Sequence, residues 1–134
     1  MTKVNSIFIV DDDPITVFGI RKILNSIVDC NQIETFGNGK LAIDAIKNIL
    51  ENNGEIPEII FLDINMPIMD GWQFMEEFIN LPIEMRVRIN VITSSIATAD
   101  LDNWENYRKK THHIVDYANK PVKRSEITKI TKPA

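Results

Sequence analysis

The stretch Ile7-Phe8-Ile9-Val10-Asp11-Asp12-Asp13-Pro14 decides the fold. Four apolar residues, three of them β-branched, end abruptly at three carboxylates and a proline, as a strand buried on both faces ends at a turn. Pro14 suits the first position of a helix, where no backbone N–H is needed and its fixed φ fits. From Ile15 to Val28 the apolar residues Val17, Ile20, Leu24 and Ile27 recur at spacings of three and four, and Asp12 or Asp13 is placed to cap the start.

The same alternation continues along the chain. A weaker second strand, Gln32 to Phe36, closes at Gly37-Asn38-Gly39; Leu41, Ala42, Ala45, Ile46, Ile49 and Leu50 then form a helical stripe ended by Asn52-Asn53-Gly54. Ile59-Ile60-Phe61-Leu62 ends in Asp63, followed by a loop holding Pro67, Asp70 and Gly71 and a helix from Trp72 to Ile79. Val87 to Ile92 runs into Thr93-Ser94-Ser95, before a helix from Ala97 to Lys110 that carries Leu101, Trp104 and Tyr107. His113 to Ala118 is the fifth strand, ending at Asn119-Lys120-Pro121, and a short helix starts near Ser125. Five strands alternating with five helices through short loops predict an α/β fold with a parallel sheet covered on both faces.

With 134 residues, 44% hydrophobic and 25% charged, the chain is sized for one globular domain spanning 1–134. One cysteine, Cys30, five Gly and six Pro exclude disulfide scaffolds and collagen-like or disordered classes, and the lone thiol fits a reducing compartment. Fifteen Lys plus Arg against 19 Asp plus Glu give a net charge of −4, which offers no basic field for nucleic acid or acidic lipid. The first apolar run, Ile7 to Val10, is too short for a signal core or a membrane span. A cytoplasmic protein with protein or small-molecule partners, no direct nucleic acid and no membrane insertion is expected.

The polar residues that break the apolar pattern stand at equivalent places: Asp11 and Asp12 after the first strand, Asp63 after the third, Thr93 after the fourth, Lys120 after the fifth. The steps of 51, 30 and 27 residues from Asp12 to Asp63, Thr93 and Lys120 are one or two βα units each. In an open parallel sheet the carboxyl ends of the strands share one edge, where ligands bind. Three carboxylates gathered there repel one another unless a cation shares the space, and an all-oxygen site suits a hard divalent ion, Mg²⁺ first. A carboxylate triad with a lysine and a hydroxyl reads as phosphoryl chemistry, with Asp63 the candidate nucleophile.

Ile9-Val10-Asp11-Asp12, Leu62 to Trp72, Val91-Ile92-Thr93-Ser94-Ser95 and Asp116 to Pro121 together resemble the receiver domain of bacterial two-component response regulators, stand-alone and chemotaxis-regulator-like, over residues 6–131. The resemblance implies a flavodoxin-like three-layer αβα sandwich with sheet order 2-1-3-4-5. It implies transfer of a phosphoryl group to Asp63 from a histidine kinase or histidine phosphotransfer protein. Mg²⁺ would be held by Asp12, Asp63 and the main-chain carbonyl of Asn65, with Asp11 acting mostly through water. Thr93 and Lys120 would bind the phosphoryl group, and Tyr117 occupies the aromatic switch position. Movement of Thr93 and Tyr117 would remodel the face of the fourth helix, fifth strand and fifth helix for a downstream protein, and a homodimer on phosphorylation is compatible with this. The Lys120–Pro121 bond is commonly cis in the family. Asn65 and Ser95 hold the positions that tune the lifetime of the acyl phosphate; Ser95, short and uncharged, is expected to organise attacking water less than a longer acidic or amide side chain would. The short last helix departs from the common pattern.

Other readings attach to some of these residues. Asp11 to Asp13 also spells the Asp-x-Asp of a Mg²⁺-dependent phosphatase, in which Asp11 would be the nucleophile, and a binding module without phosphorylation is a third possibility. Thr93 could cap the fourth helix. Trp104 and Tyr107 share a helical stripe that is either a partner face or core. His112-His113 lacks a third spaced ligand and reads as ordinary loop, and Cys30 as a small apolar filler.

Overall fold

The computed structural model describes residues 1–131; the last three residues of the expected 1–134 domain lie outside the described residues. Strands and helices alternate as β1 (Thr2–Val10), α1 (Pro14–Ile27), β2 (Val28–Phe36), α2 (Gly39–Glu51), β3 (Ile59–Asp63), α3 (Gly71–Phe78), β4 (Arg88–Thr93), α4 (Thr98–Lys110), β5 (Ile114–Asn119) and α5 (Arg124–Ile130). All pairings are parallel, in the order β2-β1-β3-β4-β5, as the resemblance implied.

The apolar runs are continuous because each central strand feeds two cores. Phe8, Val10, Ile60, Leu62, Ile89 and Val91 face α2 and α3, packing with Ala42, Ile43, Ile46, Phe74, Met75 and Phe78. Their strand neighbours Ile7, Ile9, Ile59, Phe61 and Ile92 face α1 and α5, against Ile20, Leu24, Ile127 and Ile130. The chain leaves β1 and β3 toward opposite faces, which opens a crevice at their carboxyl ends.

Local chemistry fixes where the helices begin. Asp13, rather than Asp12, caps α1: its Oδ1 accepts the Ile15 N–H at 3.0 Å and its Oδ2 the Thr16 hydroxyl at 2.8 Å, with Pro14 opening the helix. Asn38 caps α2 by accepting the Leu41 N–H at 2.9 Å. Asp70 and Gln73 exchange side-chain-to-backbone bonds of 2.8 and 2.9 Å, a capping box at the start of α3. At the other end of α2, Asn53 takes φ 53° and the Gly54 N–H reaches back to the Ile49 carbonyl at 2.9 Å, closing the helix as its Asn-Asn-Gly sequence suggests.

Two strands are longer than the pattern predicts. β1 begins at Thr2 rather than Ile7, and β2 at Val28 rather than Gln32. Among the added residues Val4 and Val28 are buried in the α1 core and Cys30 packs against it, but most of the rest are polar, and the two segments hold each other, with Thr2 opposite Val28 and Val4 opposite Cys30. Val28 both caps α1, donating to the Leu24 carbonyl, and starts β2, so no loop separates helix from strand. At the fifth strand the shift is one residue, Ile114 in place of His113.

Gly71 locks the loop after β3. Its N–H donates to the Ile64 carbonyl at 2.8 Å, and a Cβ there would lie 2.5 Å from the Asp63 carbonyl oxygen and 2.8 Å from the Ile64 Cα. Backbone cannot yield as a flexible side chain would, so Gly71→Ala is expected to destabilise the protein by about 2–4 kcal/mol, read as a lower denaturant midpoint at unchanged slope. A midpoint equal to that of the wild type would show that the approach is not restrictive.

Candidate functional site

The carboxyl edge of the sheet gathers the residues singled out in the sequence. Asp11 follows β1, Asp63 closes β3, Thr93 closes β4 and Lys120 follows β5. One carboxylate oxygen from each of Asp11, Asp12 and Asp63 lies within 4.8 Å of the others. Asp11 and Asp63 are each 3% exposed, while Asp12 faces solvent. Lys120 Nζ stands 3.0 Å from Asp11 Oδ2 and 3.6 Å from Asp63 Oδ1.

This arrangement is electrostatically frustrated. Burial first, then the charges of Asp11 and Asp12, push the Asp63 carboxyl up to about 6, against the pull of Lys120 and of the Asn65 backbone N–H. Burial alone would lower the Lys120 ammonium; its contact with Asp11 and the charges of Asp11, Asp63 and Asp13 outweigh that and hold it above the usual lysine value. Asp11 Oδ1 accepts the Asp13 N–H at 2.8 Å. Asp11 Oδ2, buried, has no hydrogen-bond donor among the described residues: Lys120 is at ion-pair distance without hydrogen-bonding geometry. Two buried carboxylates, one with an unsatisfied oxygen, beside an exposed third fit a small divalent cation with water completing its shell.

Thr93 is fully buried and does not cap α4, whose first residue is preceded by Ala97 without a side-chain cap. Its hydroxyl oxygen instead accepts the Ser95 N–H at 2.9 Å, and its carbonyl accepts the Lys120 N–H at 2.8 Å. The Asn119 amide joins the same loop through the Ser95 carbonyl at 3.0 Å, so the ends of β4 and β5 form one unit. The Lys120–Pro121 peptide is cis. Asn65 is exposed two residues beyond Asp63, and Ser95 is half-buried with its hydroxyl oxygen accepting the Ala97 N–H at 3.1 Å. Tyr117 is half-buried, its ring centroid 5.7 Å from that of Trp104.

The remaining residues divide clearly. His113 is buried, its Nδ1 accepts the Val87 N–H at 2.9 Å, and burial followed by the charges of His112 and Arg86 pushes it down to about 4. It is a neutral structural imidazole. Cys30 is a half-buried filler beside the α1 core, its thiol raised chiefly by burial. Trp104 and Tyr107 follow the core alternative: both are half-buried and pack against the core on the α2 and α3 face of the sheet. α4 buries no residue; Tyr107 stacks on Trp72 at 5.8 Å and Trp104 Nε1 donates to the Val115 carbonyl at 2.9 Å. The stripe of Trp104 and Tyr107 on an otherwise mostly polar helix was the sequence signal for this attachment. Asn90, 1% exposed within β4, has an Nδ2 without a partner among the described residues, and nothing in an apolar strand pattern foretells it.

The Asp63 shift has a direct consequence for stability. A carboxyl whose value rises from 3.8 unfolded to about 6 folded binds more protons in the folded state, so stability falls as pH rises through about 4 to 6 and then levels. In chelator at pH 7.5, Asp63→Asn is expected to unfold later than the wild type by about 2 kcal/mol, an advantage that fades toward pH 4 and is narrowed by added Mg²⁺. A wild type more stable than the variant in chelator at pH 7.5 would contradict this account.

Comparison with known proteins agrees with the geometry. The family model of the response regulator receiver domain matches residues 7–132. Hybrid signal transduction histidine kinase L of Dictyostelium discoideum is 30% identical over 132 residues, 94% of this chain and 7% of that protein. Protein-glutamate methylesterase/protein-glutamine glutaminase of Methanococcoides burtonii is 31% identical over 123 residues, 91% of this chain and 31% of that protein. The chain thus spans less than a third of the length of either relative. A two component response regulator from Cytophaga hutchinsonii superposes with a TM-score of 0.79 at 25% identity, covering 96% of this chain and 94% of that one. Among the described residues no helix is long and apolar enough to cross a membrane. With a parallel 2-1-3-4-5 sheet, an acidic pocket facing a lysine and a family match from Ile7 to Lys132, the chain belongs to the response regulator receiver domain family.

Proposed function

We propose that these residues act as a single receiver unit: a phosphorylation-dependent switch that takes a phosphoryl group onto Asp63 from the phosphohistidine of a histidine kinase or histidine phosphotransfer protein. The observation that carries this reading is the placement of Asp63, buried at the end of the central strand with Lys120 Nζ 3.6 Å away and two further carboxylates within 4.8 Å. A phosphoryl group entering there would meet a nucleophile and the Lys120 ammonium, with Thr93 at the end of the neighbouring strand.

In the transfer, an Asp63 carboxylate oxygen forms the new bond to phosphorus as the P–N bond to the donor imidazole breaks, its electron pair leaving on nitrogen. Asp12, Asp63 and the Asn65 carbonyl would hold Mg²⁺, with Asp11 acting through water; the ion supplies charge neutralisation for the phosphoryl oxygens. Lys120 neutralises another oxygen, and burial keeps its charge effective. Among the described residues the Thr93 hydroxyl accepts from the Ser95 N–H and donates to none, which leaves its O–H proton for the phosphoryl group. As Thr93 and Tyr117 adjust, the surface of α4, β5 and α5 changes for a downstream protein, and a homodimer is one form that change could take. Asp11 suits the phosphatase role poorly, because its carboxylate is buried against Lys120 and bound by the Asp13 N–H.

Intact mass after incubation with acetyl phosphate and Mg²⁺ tests the reading. One phosphoryl adduct per chain is expected, trapped on Asp63 by hydride and absent in chelator or in Asp63→Asn. Thr93→Ala and Lys120→Met should slow or uncouple the response by about tenfold or more. No adduct would favour the unphosphorylated binding module, and an adduct on Asp11 with continuous donor hydrolysis the phosphatase. In the same assay Ser95→Glu or Ser95→Gln should change the dephosphorylation rate; equal rates would remove Ser95 from the tuning role.

A further inference from the structure

α4 is attached to the protein differently from the other helices. α1, α2, α3 and α5 each insert buried residues into a core, whereas α4 buries none and lacks a side-chain cap at its start. It is held at a few aromatic points. Tyr107 stacks on Trp72 at 5.8 Å with 7° between the rings, and Trp72 Nε1 donates to Asp100 Oδ1 at 3.0 Å. Trp104 makes the other attachment: Nε1 donates to the Val115 carbonyl at 2.9 Å, its ring lies 5.7 Å from Tyr117 at 46°, and the Arg108 guanidinium covers it at 5.0 Å.

The register places this attachment beside the phosphoacceptor pocket. Val91 pairs with Tyr117 and Thr93 with Asn119, and odd-numbered side chains of both strands, Ile89, Val91 and Thr93 with Val115 and Tyr117, share one face of the sheet. Tyr117 is therefore a diagonal neighbour of Thr93 on that face. α4 is tied to both: through the loop 94–97 to Thr93 and through Trp104 to Tyr117. A ring moving along β5 toward Thr93 must give up the face of Trp104.

We propose that Trp104 is a positioning residue that latches Tyr117 in its resting place, so that release of this ring pair and loosening of α4 are one event. The proposal rests on the reading of the chain as a phosphorylated switch. Losing the latch raises the population of the released state, and a state closer to the phosphorylated one accepts the phosphoryl group faster.

The test uses the 134-residue chain and two readouts. In acetyl phosphate time courses, Trp104→Leu is expected to phosphorylate about threefold to tenfold faster than the wild type, and Trp104→Phe, which keeps a ring but not the Val115 bond, by less. In a Tyr117→Leu background, Trp104→Leu should give no further acceleration, because the two residues act as one pair. Hydrogen exchange without any phosphodonor should show lost protection across 98–110 in Trp104→Leu, with β1 and β3 unchanged. Unchanged rates in Trp104→Leu, equal acceleration with and without Tyr117, or unaltered protection of α4 would each overturn the latch. If Trp104→Leu fails to fold, Trp104→Phe against Tyr117→Leu carries the same cycle. A wild type that forms no Asp63 adduct would reject the switch reading, and the exchange readout would then decide on its own whether Trp104 anchors α4 through Tyr117.

Discussion

Mutual repulsion among Asp11, Asp12 and Asp63 is the constraint to which the rest of the structure answers. Three anionic groups within 4.8 Å, two of them buried, would disperse if carried on mobile loops. They stay because two sit at the ends of central strands with cores on both faces, and because Gly71 seals the loop beyond Asp63 against the backbone of Asp63 and Ile64. Lys120 enters from the far strand as a partial counter-charge, and the backbone bond from Lys120 to Thr93 fixes where that charge can go. Burial together with the charges of Asp11 and Asp12 keeps the Asp63 carboxyl raised despite Lys120, so the pocket retains a negative potential that a small cation would neutralise.

The sequence was most legible where burial on both faces wrote an apolar run that ended in a charge. Ile7 to Val10 before Asp11, and Ile59 to Leu62 before Asp63, showed both the sheet and its reactive edge, since no structural core needs carboxylates there. The first halves of β1 and β2 were not legible. Thr2, Lys3, Asp29 and Asn31 are polar, and only the ladder between the two segments makes them strands, which is a relation between distant residues rather than a local pattern. The same limit hid the work of Trp104: its spacing on α4 fits a core stripe or a partner face, whereas its partners, Val115 and Tyr117, are strand residues identified only by the fold.

The two ends of the sheet are built to different standards. At one end β2 follows α1 without a loop and pairs along nearly its whole length with β1, tying the acidic pair Asp11-Asp12 to a stiff support. At the other end β5 is paired with β4 along its whole length but is overlaid by a helix that buries no residue of its own. Groups from both ends, Asp11 and Asp12 from one and Lys120 from the other, converge on Asp63.

Because α4 buries no residue and reaches the core only through the half-buried Trp104 and Tyr107, most of its surface is free to diverge. Substitutions at Asp102 or Asn106, both exposed, remove no buried contact, so drift there leaves the folding of the remainder almost untouched. Trp104 and Tyr107, with the Trp72 they depend on, are the exceptions. A lineage could therefore rewrite what this helix displays to other molecules while inheriting the acidic pocket at the carboxyl edge of the sheet unaltered.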